Sequence, residues 1–487
     1  MRIHRFVYCI LIGSLLLGLV GCNKGQTKEN NTVKMEPIAY VSDSEIKFTR
    51  QEADFVKVYD KSELDDNKGT VIQVDLENEK QKISGFGASF TDTSTYLFMK
   101  LSEEKRNDAM IKLFDDEKGI GLDMIRNPIG ACDFSLEYYT YDDMPEGETD
   151  YELENFDFSK ASDQVAITKQ AMEINPDIKL FLSPWTAPLW MKTEYEWLGT
   201  AQASLKRDCY DVYADYLVKC IQGYEEQGVP VYSIAVQNEP LNLCDWPGMW
   251  WTWEQLADFT NDRLRPALDE AGLTTKIHNL DYSWARIAEA GEAIMASTLE
   301  SSDGMAFHWY SGTPEQMADF GEKFPGIDMY VTEASWDRPS NIGDMLRITS
   351  YATRSLRSGA NGYIMWNMAV GPNGGPTYRD KNLYNSGLVT IDAEADTVEF
   401  TGDYYSMAHF SKFIHQGAVA LESTDTGLES EYKLVNVVTR NPNGTMTAVI
   451  VNGNGAEDAL CKFVLGDQVM EVNVAARSIV TITWDAN

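Results

Sequence analysis

From about Ile83 onward, short apolar runs alternate with amphipathic helical stretches. The runs are "KISGFGASF", "GLDMIRNPI", "IKLFLSPW", "VYSIAVQNEP", "TKIHNLDYS", "MAFHWYSG", "DMYVTEASW" and "NGYIMWNMA". Eight strands interleaved with helices predict an α/β fold, a closed (β/α)8 TIM barrel, because parallel strands need helical crossovers. One helix is legible in detail. In "TWEQLADFTNDRLRPALDEAG", Thr252 followed by Gln255 reads as a capping box, Pro266 as a kink and Gly272 as a stop.

After about Phe400 the period falls to two. "YKLVNVVTR", "MTAVIVNG", "KFVLG" and "ARSIVTITW" are strand-like and separated by the turn residues of "NPNGT" and "NGNG". They predict a small β-sandwich. "DFVKVYD" and "TVIQVDLE", ahead of the barrel, are strand-like too, and chain ends commonly lie close together, so they are expected to complete it. The expected layout is side-domain strands in 46–80, the barrel in 81–402 and the remaining side-domain strands in 403–487.

The first residues read as an export signal. Arg2, His4 and Arg5 precede an apolar run from Phe6 to Val20, too short for a comfortable membrane span. The run ends in Leu19-Val20-Gly21-Cys22, which is similar to a bacterial lipobox, in which the cysteine is diacylated and becomes the mature N-terminus. The alternative is an ordinary signal peptide with Cys22 incidental. On the lipobox reading, residues 23–45 form a polar tether, and the exported protein meets the membrane of the bacterial cell envelope only through a lipid on Cys22.

Charge narrows the partners. With 75 acidic against 41 basic side chains, a net charge of −34 repels nucleic acid and anionic lipid headgroups, and a neutral substrate fits better. Of seven cysteines, Cys9 leaves with the signal and Cys22 goes to lipid, so an odd five remain and no disulfide framework is expected. Cys209 and Cys220 share the helical stretch "RDCYDVYADYLVKCIQ", roughly 16 Å apart along its axis, too far to bridge. No histidines stand at metal-ligand spacing, so neither metal nor cofactor is expected.

A barrel directs attention to the C-terminal strand ends, where catalytic groups of this architecture gather. Those ends carry Asp92, Arg126, Trp185, Asn238-Glu239, Asp281, His308 with Tyr310, Glu333 and Trp366-Asn367. Glu239 closes the fourth strand and Glu333 the seventh, which sets them across the mouth from each other. Glycosidic cleavage requires two such carboxyls, one protonated to release the leaving oxygen, the other ionised to meet an oxocarbenium-like centre. Pro240 is expected to hold Glu239 in an extended backbone at the rim. Adjacent Asn238 and Glu239 would point to opposite faces of a regular strand, so a bulge or sharp twist is expected there.

The stretches "GFGASFTDTS", "GIGLDMIRNPIGACDFSLEYYTYDD", "LFLSPWTAPLWMKT", "AVQNEP", "AFHWY", "YVTEASW", "MWNMAVGPNGGPTY" and "HFSKFI" resemble, in order, glycoside hydrolase family 30, which includes glucosylceramidases and β-1,6-glucanases. The likeness runs from about Glu77 to Trp484. It implies a retaining double displacement with Glu239 as general acid/base and Glu333 as nucleophile. It also implies that Asn238 lies near the sugar 2-hydroxyl, that Asp92, Trp185, Trp366 and Asn382 hold the non-reducing glucosyl unit, and that His308 and Tyr310 neighbour the two acids. A tyrosine hydroxyl beside Glu333 would favour its anion, whereas Glu239 would have its proton affinity lifted by burial and by the other acid.

Local sequence leaves several of these open. Trp185 suits core packing as well as a sugar platform, and His308 suits a satisfied core polar group. Arg126 reads as a buried ion-pair partner of a catalytic carboxylate or a structural residue rather than a direct ligand. In "CDWPGMWWTW", Trp246, Trp250, Trp251 and Trp253 could stack sugars, contact a lipid aglycone or anchor the loop, and at least one is expected to be an anchor only. The substrate expected is a β-glucoside, either β-1,6-linked glucan or a glucosyl lipid, with glucan favoured by surface anchoring. The family's xylan-cleaving branch is an alternative, and so is a surface lipoprotein that captures glycans without cleaving them. No Walker A sequence or nucleophile-elbow serine is present, and "GFGASF" lacks the third glycine of a dinucleotide loop.

Overall fold

The computed structural model describes residues 35–485 except 46, 337–340, 380–384 and 427–433. Cys22, the export signal, most of the expected tether and Asn382 lie outside the described residues. No helix among the described residues is long and apolar enough to cross a membrane.

All eight expected barrel strands form. They are β1 (Gly85–Ser89), β2 (Met124–Ile129), β3 (Lys179–Pro184), β4 (Val231–Ile234), β5 (Lys276–Ser283), β6 (Gly304–His308), β7 (Asp328–Glu333) and β8 (Gly362–Val370). Each pairs parallel with the next, and β8 pairs with both β7 and β1, which closes the cylinder. Every residue of β1, β2 and β8 is buried, as expected of strands covered by helices on one side and by the barrel interior on the other. That double burial is why they read as continuous apolar runs. A hairpin, Gly387–Asp392 with Thr397–Phe400, extends the sheet from the outer end of β8 and was not anticipated.

The helix that follows β4 begins with the expected capping box: Thr252 accepts from the Gln255 N–H, and the Gln255 side chain returns to the Thr252 N–H. Pro266, which has no N–H to offer, lies just past a wide π turn, Thr260–Leu264, in the first turn of Arg265–Glu270. The interruption expected from Pro266 is therefore absorbed as a bulge in the helix.

The side domain is one ten-stranded sheet that folds over on itself. Its order runs Thr49–Arg50, Ile38–Ser42, Ser478–Asp485, Thr445–Asn452, Leu434–Arg440, Val419–Ser423, Thr70–Lys82, Ala459–Leu465, Gln468–Val474 and Lys57–Asp60. The long strand Thr70–Lys82 turns the corner: its first residues pair parallel with Ala459–Leu465, and the rest pair antiparallel with Val419–Ser423. The fold encloses Ile72, Val438, Ile450, Phe463, Met470 and Ile482. The sheet starts earlier than the sequence suggested. Ile38–Ser42 lies in the stretch expected to be tether, yet its pairing with Ser478–Asp485 satisfies its backbone and buries Ala39 and Val41, which overrides its polar surroundings.

Barrel and sheet share an apolar seam. Met345 and Leu346 of the helix Ile342–Arg357 pack on Val435, Val451 and Ile479. Beside it, buried His409 binds Thr481 Oγ1 and Ser42 Oγ, both at 2.9 Å, and burial pushes its pKa down to about 3. Cys132, Cys209, Cys220, Cys244 and Cys461 are all free thiols, and only Cys244 is not fully buried. Ile450, enclosed between the two halves of the folded sheet, gives a direct check of this core: Ile450→Ala should cost about 2–5 kcal/mol, read as a lower denaturation midpoint.

Candidate active site

Side chains on a strand alternate, so residues two apart share a face. Met124, Phe181, Tyr330 and Ile364, from β2, β3, β7 and β8, meet in one buried cluster inside the barrel. Two positions further on, the same alternation turns Arg126, Ser183, Thr332 and Trp366 toward the mouth. Three departures from regular strand geometry add the remaining groups. In β5, Leu280 (φ 70°) and Asp281 (φ 47°) form a bulge against β6. In β7 the pairing with β6 skips Thr332, so Glu333 turns inward as well.

The third departure is at Glu239, and it corrects the extended backbone expected there. β4 ends at Ile234, and Glu239 has φ 45°, in the left-handed region. Its carbonyl accepts the Asn242 N–H at 3.0 Å, which makes Glu239 the first residue of a turn with Pro240 second, the position proline favours. The reversal supplies the sharp twist that lets Asn238 and Glu239 both face the cavity.

Arg126 organises what these elements deliver. Its Nη1 donates to Glu333 Oε2 at 2.8 Å, and its Nη2 to Asn238 Oδ1 and Asp281 Oδ2, both at 2.7 Å. Asp281 also accepts from Ser183 and Thr332 hydroxyls at 2.7 and 2.6 Å. His308 lies between acids, with Nδ1 3.0 Å from Glu239 Oε1 and Nε2 3.2 Å from Asp281 Oδ1. Tyr310, nearly half exposed at the mouth, donates to Glu333 Oε1 at 2.9 Å, and Asn242 Nδ2 donates to Glu239 Oε2 at 2.6 Å. The Glu239 and Glu333 side chains are 10% and 8% exposed, enough for a small neutral group to reach them.

The charges follow from this packing. Burial pushes Asp281 up, but Arg126 and His308 outweigh it and hold the carboxyl well below its usual range. Burial alone would lower His308, yet Glu333, Asp281 and Glu239 raise it to about 9, so both ring nitrogens carry protons and donate. Burial raises Glu333 while His308, Arg126 and the Tyr310 hydrogen bond oppose it. Two cationic side chains, Arg126 and His308, thus face the carboxyls of Asp281, Glu239 and Glu333.

Glu239, His308 and Glu333 each place a potential ligand atom within 4.8 Å of the others, the one such trio found among the described residues. A metal ion does not suit it. The Arg126 guanidinium already lies 2.8 Å from Glu333 and supplies its counter-charge.

Other expected contacts fall elsewhere. Trp185 and Trp366 stack on each other at 5.2 Å, and the Arg126 guanidinium lies 4.9 and 5.6 Å from their ring centroids. They are 1% and 2% exposed and flank Arg126. Asp92 does not join the cluster. It begins the helix Asp92–Lys100, accepts from Tyr139 Oη at 2.9 Å, and lines a separate cavity of about 500 Å³. Of the loop tryptophans, Trp251 is an anchor packed on Tyr210, Tyr213 and Phe259, whereas half-buried Trp246 packs beside Trp185 and Trp366 with Arg379 over its ring.

One acid near the pair escaped the sequence reading. Burial and the charges of Glu333 and Glu239 raise Asp133 to about 7. It stands in the quoted stretch "GACDFS", but in a loop, where no periodicity singles it out.

A model of the glycosyl hydrolase family 30 TIM-barrel domain matches residues 83–414, which span this barrel and every residue of the cluster. The chain belongs to glycosyl hydrolase family 30. It is therefore a glycoside hydrolase. This family 30 enzyme is 31% identical to the endo-1,6-beta-D-glucanase of Neurospora crassa over 82% of its own length and 85% of the relative's. It is 29% identical to the lysosomal acid glucosylceramidase of Mus musculus, over 79% and 78%. The solved structure of the endo-beta1,6-glucanase BT3312 matches with a TM-score of 0.81 at 26% identity, covering 93% of this chain and 100% of that one.

Arg126 gives the test of the cluster's electrostatics. Arg126→Ala strands Asp281 and Glu333, and the variant should lose about 3–5 kcal/mol of stability at neutral pH. The Asp281 pKa is depressed in the wild type and should rise in the variant, so the deficit should shrink as pH falls and that carboxyl takes up a proton. Denaturation midpoints of both proteins across pH 4–8 check this.

Proposed function

We propose that this family 30 enzyme hydrolyses β-D-glucosidic bonds with net retention, with Glu239 as general acid/base and Glu333 as nucleophile. The observation that carries the reading is the carboxyl separation: an oxygen of each glutamate lies within 4.8 Å of the other. Retaining enzymes hold their carboxyls about 5–5.5 Å apart, whereas inverting ones need about 6.5–9.5 Å to admit a water.

The groups suit these steps. Glu333 attacks the anomeric carbon, with Arg126 and Tyr310 committed to its two oxygens so that the anion has a fixed orientation. Glu239 delivers a proton to the departing oxygen, then takes one from the water that releases the sugar. Arg126 occupies Asn238 Oδ1, which leaves the amide NH2 to donate to the sugar 2-hydroxyl as charge develops at the ring. The substrate we favour is β-1,6-linked glucan over a glucosyl lipid. The similarity to fungal endo-1,6-glucanases and to BT3312 supports this, as does a lipobox-like export segment that would anchor the enzyme through Cys22 at the bacterial surface.

Glu333→Gly should lose turnover by roughly 10³-fold or more and recover part of it with azide, giving an α-glycosyl azide. A β product would remove Glu333 from the nucleophile role. Glu239→Ala should slow substrates with poor leaving groups far more than activated aryl β-glucosides, and equal losses on both would remove it from the acid role. Product analysis on gentiobiose, pustulan, laminarin, xylan and glucosylceramide tests the substrate, with pustulan and gentiobiose expected to be cleaved fastest.

A further inference from the structure

We propose that Asp281 is the positioning residue that couples the two glutamates: its carboxylate aligns Arg126 and His308, and its backbone carbonyl fixes the turn that carries Glu239. This rests on the catalytic roles proposed above for Glu239 and Glu333.

The geometry converges on this one side chain. Asp281 Oδ2 takes Arg126 Nη2 and the Ser183 hydroxyl, while Oδ1 takes Thr332 Oγ1 and His308 Nε2. Each cation then reaches a different glutamate, Arg126 at Glu333 and His308 at Glu239. The Asp281 carbonyl accepts the Glu239 N–H at 3.0 Å. One residue therefore touches, directly or through one intermediary, both carboxyls of the reaction while facing neither the sugar nor solvent: its side chain is 1% exposed.

The backbone points the same way. Leu280 and Asp281 both hold positive φ, a strained conformation for a non-glycine residue that persists only where its surroundings over-determine it. In a regular β5 no bulge would be present, and the pairing with β6 would run on without the shift seen between Leu280 and Tyr282. The bulge puts the Asp281 carboxylate inside the barrel and its carbonyl under Glu239 at the same time.

The groups facing His308 are Glu239 from the loop after β4, Asp281 from β5, Tyr310 beyond β6 and Glu333 from β7, with Arg126 of β2 bound to the same carboxylates. Removing the Asp281 charge takes away one of the three anions that keep His308 protonated. In Asp281→Asn the ring should therefore lose its proton at a pH about one unit or more below the wild type, and the alkaline limb of kcat/KM should move to lower pH with it. At the optimum, kcat/KM should fall by about 10²-fold.

Thr332→Val provides an effect of opposite sign. It removes the hydroxyl that shares Oδ1 with His308, leaves that oxygen to His308 alone, and should raise the pH at which the ring deprotonates. The experiment is imidazole ¹⁵N titration of both variants and the wild-type protein, with the His308 signals identified by their loss in His308→Gln, beside pH profiles on an aryl β-glucoside. Opposite shifts in the two variants support the positioning role. An unchanged His308 titration in Asp281→Asn, or a downward or absent shift in Thr332→Val, overturns it, including where Asp281→Asn does not fold. These outcomes are independent of the azide product of Glu333→Gly, so failure of the nucleophile assignment and failure of the positioning role are told apart.

Discussion

A single buried guanidinium carries the arrangement on which the rest of the site depends. Arg126 is 1% exposed, and water contributes almost nothing to its solvation, so the protein must supply its counter-charge. It does so with Glu333 and Asp281, and it fixes the Asn238 amide with the same face. Trp185 and Trp366 close its flank. The cost of burying one charge is offset by committing two acids and one amide to defined positions.

The second cation, His308, makes the arrangement specific. It lies between Glu239 and Asp281, so each of the three carboxyls has a cationic neighbour. The site is thereby set up for an acid and a nucleophile of the same residue type. Their difference comes from partners: Arg126 and Tyr310 on Glu333, His308 and Asn242 on Glu239.

The folded sheet serves this site at a distance. Its strands come from both ends of the chain, and the long strand Thr70–Lys82 leads directly into β1. The helix Ile342–Arg357, which follows Glu333, buries Met345 and Leu346 against that sheet. The helix that comes next in the chain after Glu333 is thereby packed on a second core.

The sequence alone determined the architecture and placed two glutamates at the ends of facing strands. Eight apolar runs separated by helical periodicity admit few folds, because buried parallel strands and amphipathic helices each carry a distinct period, and residues at strand ends follow from that count. It left Arg126 as either an ion-pair partner or a structural residue, and the structure shows the ion pairs. Only the tertiary structure decided how the chemistry turns inward. The left-handed backbone at Glu239, the bulge at Asp281 and the skipped pairing at Thr332 depend on neighbouring strands, since their hydrogen bonds run to Asn242, Glu239 and β6 rather than along their own segment. The same holds for the residues that moved. Asp92 lines a cavity with Tyr139, Trp185 and Trp366 stack beside Arg126, and Asp133 feels the charge of the pair, because contact across the barrel is fixed by packing between segments far apart in sequence and leaves no local pattern to read.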